Sequence, residues 1–85
     1  MQLNGFKIRM KIKAIFFAGV REALGKGELQ LELPMYATVA DAWDRAGGVR
    51  LRQKVLCAVN EHYTDLTHVL KEGDVVAFFP PVTGG

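Results

Sequence analysis

The chain has 85 residues, 49% of them hydrophobic, with eleven basic and nine acidic side chains and a net charge of +2. That length makes one domain, and a chain of this size buries only about 60–65% of its unfolded surface. The near-balanced charge is no nucleic-acid signature, no apolar run reaches the length of a membrane span, and no signal-peptide pattern is present. Cys57 is the single cysteine and can form no internal disulfide, which fits a reducing compartment. The expectation is a cytoplasmic protein without nucleic-acid or membrane partners.

Charge is unevenly spread. Lys7, Arg9, Lys11 and Lys13 form one basic block, and Arg45, Arg50, Arg52 and Lys54 another. From residue 55 onward Lys71 stands against Glu61, Asp65, Glu72 and Asp74. An acidic C-terminal end suits a partner with a basic docking surface.

Residues 1–9 read as an N-terminal extension or as the start of the first strand, since Phe6 and Ile8 alternate with Lys7 and Arg9. The domain proper spans 10–79. Residues 11–18 predict a strand that begins alternating and becomes continuously apolar. Residues 20–24 predict one helical turn, stopped by Gly25. Residues 27–33 alternate Leu29, Leu31 and Leu33 with Glu28, Gln30 and Glu32, the pattern of a strand with one wet face, paired antiparallel with the first. Thr38 is an N-cap with Asp41 three residues on. Val39, Ala42, Trp43 and Ala46 share one helix face, Trp43 as a core anchor, and Gly47-Gly48 ends the helix. Residues 55–59 predict a short strand ended by Asn60-Glu61-His62, residues 63–70 a short strand or turn, residues 71–74 a turn, and residues 75–79 a last, wholly apolar strand.

The order is ββαββ with one main helix. The first and last strands, apolar on both sides, belong in the middle of the sheet, parallel to each other. One helix covers one face. Part of the other face, fed by alternate residues of 15–17 and 75–79, is therefore expected to bind protein; either alternate set satisfies the pattern.

Side-chain catalysis finds no apparatus. His62 and His68 lie six apart on loop-like sequence and Cys57 inside an apolar strand, so no metal set is expected. There is no P-loop or Gly-x-Gly-x-x-Gly motif, and the chain has no serine. Arg21-Glu22 reads as a solvated pair or a binding pair. What remains is the terminus. Residues 80–85 are a flexible tail whose two prolines stiffen the exit, whose Gly84 and Gly85 carry no side chain, and whose reach is about 20 Å. Such an end threads into a narrow site where a Cβ would clash.

A ββαββ domain ending in Gly-Gly resembles the ubiquitin-like β-grasp family, an α+β fold. Phe16-Phe17-Ala18-x-x-Arg21-Glu22-x-x-Gly25, Ala58-Val59-Asn60 and above all Gly73-Asp74-x-Val76-Ala77-Phe78-Phe79-Pro80-Pro81-Val82-x-Gly84-Gly85 look like the motifs of the small, sulfur-carrying subunits of molybdopterin synthases. The resemblance runs from about residue 10 to residue 85. It implies that Gly85 is adenylated by a ubiquitin-activating-type enzyme using ATP and magnesium, then thiocarboxylated with sulfur from a persulfide donor. The loaded tail (Pro80, Pro81, Val82, Thr83, Gly84) would insert into the large subunit, within a heterotetramer, to donate sulfur for the dithiolene on cyclic pyranopterin monophosphate in molybdenum cofactor biosynthesis. It implies no cofactor bound by this chain. Phe17, Phe78 and Phe79 are the expected interface residues. The same architecture serves two alternatives, a thiamine-pathway sulfur carrier and a ubiquitin-like protein modifier.

Overall fold

The computed structural model describes residues 8–48 and 54–81. Five strands and two helices follow in the order β1 (Arg9–Phe16), α1 (Ala18–Leu24), β2 (Glu28–Pro34), α2 (Val39–Arg45), β3 (Leu56–Val59), β4 (His62–Thr64) and β5 (Val75–Phe79). They build one mixed sheet in the order β2-β1-β5-β3-β4. Strands β1 and β5 are parallel neighbours, with Phe16 beside Phe78, and the other pairs are antiparallel. The expected central parallel pair is present.

Three expectations are corrected. The first strand ends at Phe16, not at residue 18, and the single turn expected over 20–24 is a second short helix, Ala18–Leu24. Extended Phe17 serves as its N-cap, and Gly25, at φ 73°, ends it in the left-handed conformation, which costs glycine little. Asn60-Glu61-His62 also does not end strand structure. Asn60 and Glu61 alone, both at positive φ, make a two-residue turn, and His62 already opens β4 opposite Val59. Positive φ at both turn residues suits the right-handed twist of the flanking strands. Residues 1–7, which hold most of the expected extension, lie outside the described residues; Arg9 belongs to β1.

Helix α2 starts where the sequence placed it. Thr38 Oγ1 accepts from the Asp41 amide at 3.3 Å, and Asp41 Oδ2 accepts from the Thr38 amide at 2.8 Å, so two orphan donors are satisfied reciprocally. The amides of Val39 and Ala40 donate to His68 and Leu66 carbonyls, tying the helix start to the loop after β4. At the other end Gly48 N–H donates to the Trp43 carbonyl at 2.8 Å. A Cβ on Gly48 would stand 2.3 Å from the Trp43 indole, so this glycine is demanded by close approach. Lys26 Nζ donates to the Ala46 carbonyl at 3.2 Å, placing a cation at the negative end of the helix.

The core lies between the sheet and α2. Met10, Ile12, Ala14 and Phe16 of β1, Leu31 and Leu33 of β2, Cys57 and Val59 of β3, and Val76 and Phe78 of β5 all point into it, where they meet Val39, Ala42 and Ala46, with Val20 of α1 closing one end. Phe78 is its hub. Its ring stacks on Phe16 at 5.7 Å and meets Trp43 at 5.0 Å, so Trp43 is the core anchor that its helix position predicts.

Candidate functional site

Strand β5 sets the geometry of the site. It occupies the middle of the sheet and its last residues lead directly to the tail. Because side chains alternate along a strand, its apolar run divides into two sets. Val76 and Phe78 face α2, while Val75, Ala77 and Phe79 face the other way and remain partly exposed. Cross-strand register extends the second set. Ile15, Ala77, Ala58 and Tyr63 form one row across β1, β5, β3 and β4. Phe79 and Leu56 form the next row towards the tail. Phe17, still extended at φ −118° and ψ 151°, continues that side of β1.

The result is a face with small alanines at its centre and large apolar groups around them. Phe17 is 49% exposed and Tyr63 79% exposed. The Tyr63 and Phe79 rings meet at 5.7 Å. Fully burying one phenylalanine gains about 1.5–3 kcal/mol, so three such aromatics can anchor a partner. The sequence expectation of an apolar face beside the tail therefore holds, carried by Ile15, Phe17, Ala77 and Phe79. Phe78 is a correction. It was expected at the interface with Phe79, but it is fully buried under α2, and no partner can reach it without opening the core. Tyr63 was not singled out by its sequence, because β4 is too short to show a period; its alternation with a polar neighbour in a strand was the only available signal.

Pro80 and Pro81 are half-buried at the end of β5. Neither has an N–H to extend the ladder, so pairing stops there. Val82, Thr83, Gly84 and Gly85 lie outside the described residues.

The Ala58-Val59-Asn60 and Gly73-Asp74 motifs meet at the start of β5, at the end of the sheet opposite Phe79. Asn60 Nδ2 donates to Asp74 Oδ1 at 2.9 Å, and the Lys71 amide donates to Asp74 Oδ2 at 2.8 Å. Asn60 Oδ1 accepts from the Val75 amide at 3.0 Å, and the Asn60 amide donates to the Val75 carbonyl at 2.8 Å. Asp74 is thus buried with both oxygens satisfied. This clamp locks the β3–β4 hairpin to the start of β5 and so holds Tyr63 beside Phe79. Gly73, at φ 84°, makes the turn into it.

Arg21 and Glu22 are exposed on α1. The Arg21 guanidinium lies across Gly27, where a Cβ would come within 3.0 Å of it. Cys57 is buried in β3 with its thiol directed at the Thr64 carbonyl at 3.4 Å. Burial first, and Asp65 second, push that thiol above its ordinary value, so it is a poor nucleophile at neutral pH. Among the described residues no group of three His, Cys, Asp or Glu could hold a metal ion, and no helix is long and apolar enough to cross a membrane.

A mixed sheet gripping one main helix, with parallel first and last strands at its centre and a tail leaving beside an apolar face, defines a ubiquitin-like β-grasp protein. Residues 14–85 match the ThiS family, and the chain belongs to that family. A relative from Escherichia coli (strain K12), the molybdopterin synthase sulfur carrier subunit, is 42% identical over 84 residues, covering 87% of this chain and 99% of the relative. Among solved structures, SAMP1 from Haloferax volcanii superposes with a TM-score of 0.74 at 26% identity, covering 88% of this chain and 99% of that one. A chain in the complex of subunits 1 and 2 of the molybdopterin-converting factor from Helicobacter pylori 26695 superposes with a TM-score of 0.61 at 23% identity, covering 89% and 100%. That last likeness is one of fold.

Proposed function

We propose that this chain is the sulfur-carrying subunit of a molybdopterin synthase. The observation that carries the reading is the continuity of β5. It leads from the core, past Phe79 on the apolar face, through Pro80 and Pro81 to a Gly-Gly carboxyl end. The near full-length relative named for this role supports it.

The chemistry follows from the terminal group. A carboxylate is a poor electrophile, because its charge is delocalised and oxide is a bad leaving group. An activating partner of the ubiquitin-activating type transfers AMP from ATP to the Gly85 carboxylate, with magnesium holding the phosphates and pyrophosphate leaving. The terminal sulfur of a persulfide attacks the acyl-adenylate and displaces AMP. A second thiol cleaves the acyl disulfide so formed, leaving a thiocarboxylate on Gly85 and a disulfide behind. The large subunit of the synthase then receives the tail, and the sulfur passes to cyclic pyranopterin monophosphate. Gly85 is a substrate position for two enzymes; this chain binds no cofactor, and ATP chemistry of this kind fits the cytoplasm. The apolar face docks each partner in turn, while residues 80–84 thread the carboxylate into its active site.

The test is mass spectrometry of the intact chain after incubation with an activating enzyme, ATP, magnesium and a persulfide donor. Replacement of one terminal oxygen by sulfur, a gain of about 16 Da from the atomic masses in the thiocarboxylate chemistry just described, is the expected result. An unchanged mass sinks the reading. The likeness to a small archaeal modifier protein favours a second one, attachment of Gly85 to lysines of other proteins. Isopeptide adducts of Gly85 in cell extracts, with no thiocarboxylate, would select it.

A further inference from the structure

The sheet has one long edge that the sulfur reading does not use. Strand β2 is outermost and pairs only with β1 among the described residues. Two backbone bonds at its ends fix which groups point outward. The Phe16 amide donates to the Gly27 carbonyl, and the Met35 amide donates to the Ile8 carbonyl. Hydrogen-bonded pairs alternate along an antiparallel ladder. Leu29, Leu31 and Leu33 therefore bond inward to β1, and the amides and carbonyls of Glu28, Gln30 and Glu32 point away from the sheet. Pro34 ends the row, its carbonyl taken by the Ala37 amide.

The surroundings of this edge have a definite chemistry. The side chains of Glu28, Gln30 and Glu32 are exposed on the face away from α2, opposite Ile15, Lys13 and Lys11. Lys13 reaches Glu28 at 3.7 Å from the inner side; no strand borders the outer side among the described residues. On the other side, an open groove of about 500 Å³ runs between the end of β2 and α2. Leu33, Met35 and Tyr36 line it on one wall, and Asp41, Asp44 and Arg45 on the other. Edge plus groove carries four carboxylates, Glu28, Glu32, Asp41 and Asp44, against Arg45, with Arg9, Lys11 and Lys13 of β1 behind the edge, so that the carboxylates of Glu28 and Glu32 are the outermost charges.

We infer that β2 is a second docking site, which adds an extended segment of a partner protein as a sixth strand. Its alternate residues are basic where they neighbour Glu28 and Glu32 and apolar where they turn towards the groove. Backbone bonds to Glu28, Gln30 and Glu32 supply affinity, and the alternating side chains supply selectivity. A second copy of this chain is disfavoured, because its own β2 would bring two more carboxylates alongside Glu28 and Glu32. Strand β1 separates this edge from β5, so a partner held here leaves the apolar face and tail free. The site stands independently of the sulfur reading.

The test is an NMR titration of the isotope-labelled full chain with a nine-residue peptide of alternating lysine and valine, and with a glutamate–valine control. The amides of Glu28, Gln30 and Glu32 should shift and gain exchange protection with the lysine peptide alone, while those of Phe17, Tyr63 and Phe79 stay in place. Reversing both charges, Glu28→Lys with Glu32→Lys, should weaken binding about tenfold, the scale of two exposed charge contacts reversed. Gln30→Pro removes one outward amide without touching the β1 ladder, which an edge strand tolerates, and should abolish it. Unmoved edge amides, equal binding of both peptides, shifts confined to the open face, or self-association through the β2 amides would each overturn the site.

Discussion

Phe78 and Phe79 are neighbours with the same side chain and opposite duties. Phe78 is fully buried between Phe16 and Trp43. Its truncation to Ala leaves a cavity and should cost about 3–5 kcal/mol, read as a lower midpoint in denaturant. Phe79 sits half-exposed against Tyr63. Phe79→Ala should shift stability far less and weaken binding to the large subunit instead, as calorimetry with the isolated partner would register. Equal stability losses in the two variants would contradict the assignment of faces. Cys57 supplies a pH signature. Its thiol is raised above the ordinary value of 9.0 by burial and by Asp65. The folded chain thus holds this proton more tightly than the unfolded one. The associated stability is fully present below pH 9 and is lost as pH rises through the folded value. Denaturation midpoints should fall in that alkaline range, and Cys57→Ala should flatten the slope.

At the scale of elements, the clamp of Asn60 and Asp74 decides whether the β3–β4 hairpin belongs to the binding face. Removing either partner breaks hydrogen bonds made to Asp74, the buried member of the pair, at a cost of about 1–3 kcal/mol. Asn60→Ala and Asp74→Ala should each destabilise by that order. The double variant should cost clearly less than their sum, since both act in one network. Full additivity in a denaturation cycle would dissolve the clamp. Much of this scale was legible in the sequence. The strong alternation of residues 27–33, the Thr38 and Asp41 cap, and the Gly47-Gly48 stop are local signals, and each element stands where they put it. Residues 18–24 were harder to read, because seven residues between two strands carry too little periodicity to separate a turn from a helix. The short β4 was ambiguous for the same reason.

For the molecule as a whole, the proposed reading makes the domain a handle and Gly85 the position loaded with sulfur, and it predicts a strict dependence on the length of the C-terminal segment. Adding one residue after Gly85 should abolish sulfur loading in the mass assay, because the activated carboxylate is displaced by one residue length, about 3.3–3.6 Å. The same variant should keep the parent's denaturation midpoint and its affinity for the large subunit. Retained loading would mean that the partner's site measures something other than tail length.

Periodicity, capping and residue type are local properties, so β1, β2, α2, β3, β5 and the central parallel pair were legible in the chain before folding, whereas α1 and β4 were not. Its closing motif is what carries the proposal for Gly85. Which alternate residues of β1 and β5 face outward became visible with the folded molecule. A continuous apolar run has a period but no phase, and the phase is set by the side on which α2 packs. That packing buries Phe78, exposes Phe17 and Phe79, and through the Asn60 clamp brings Tyr63 to join them. It also leaves β2 on the rim, where an ordinary amphipathic strand becomes an open edge.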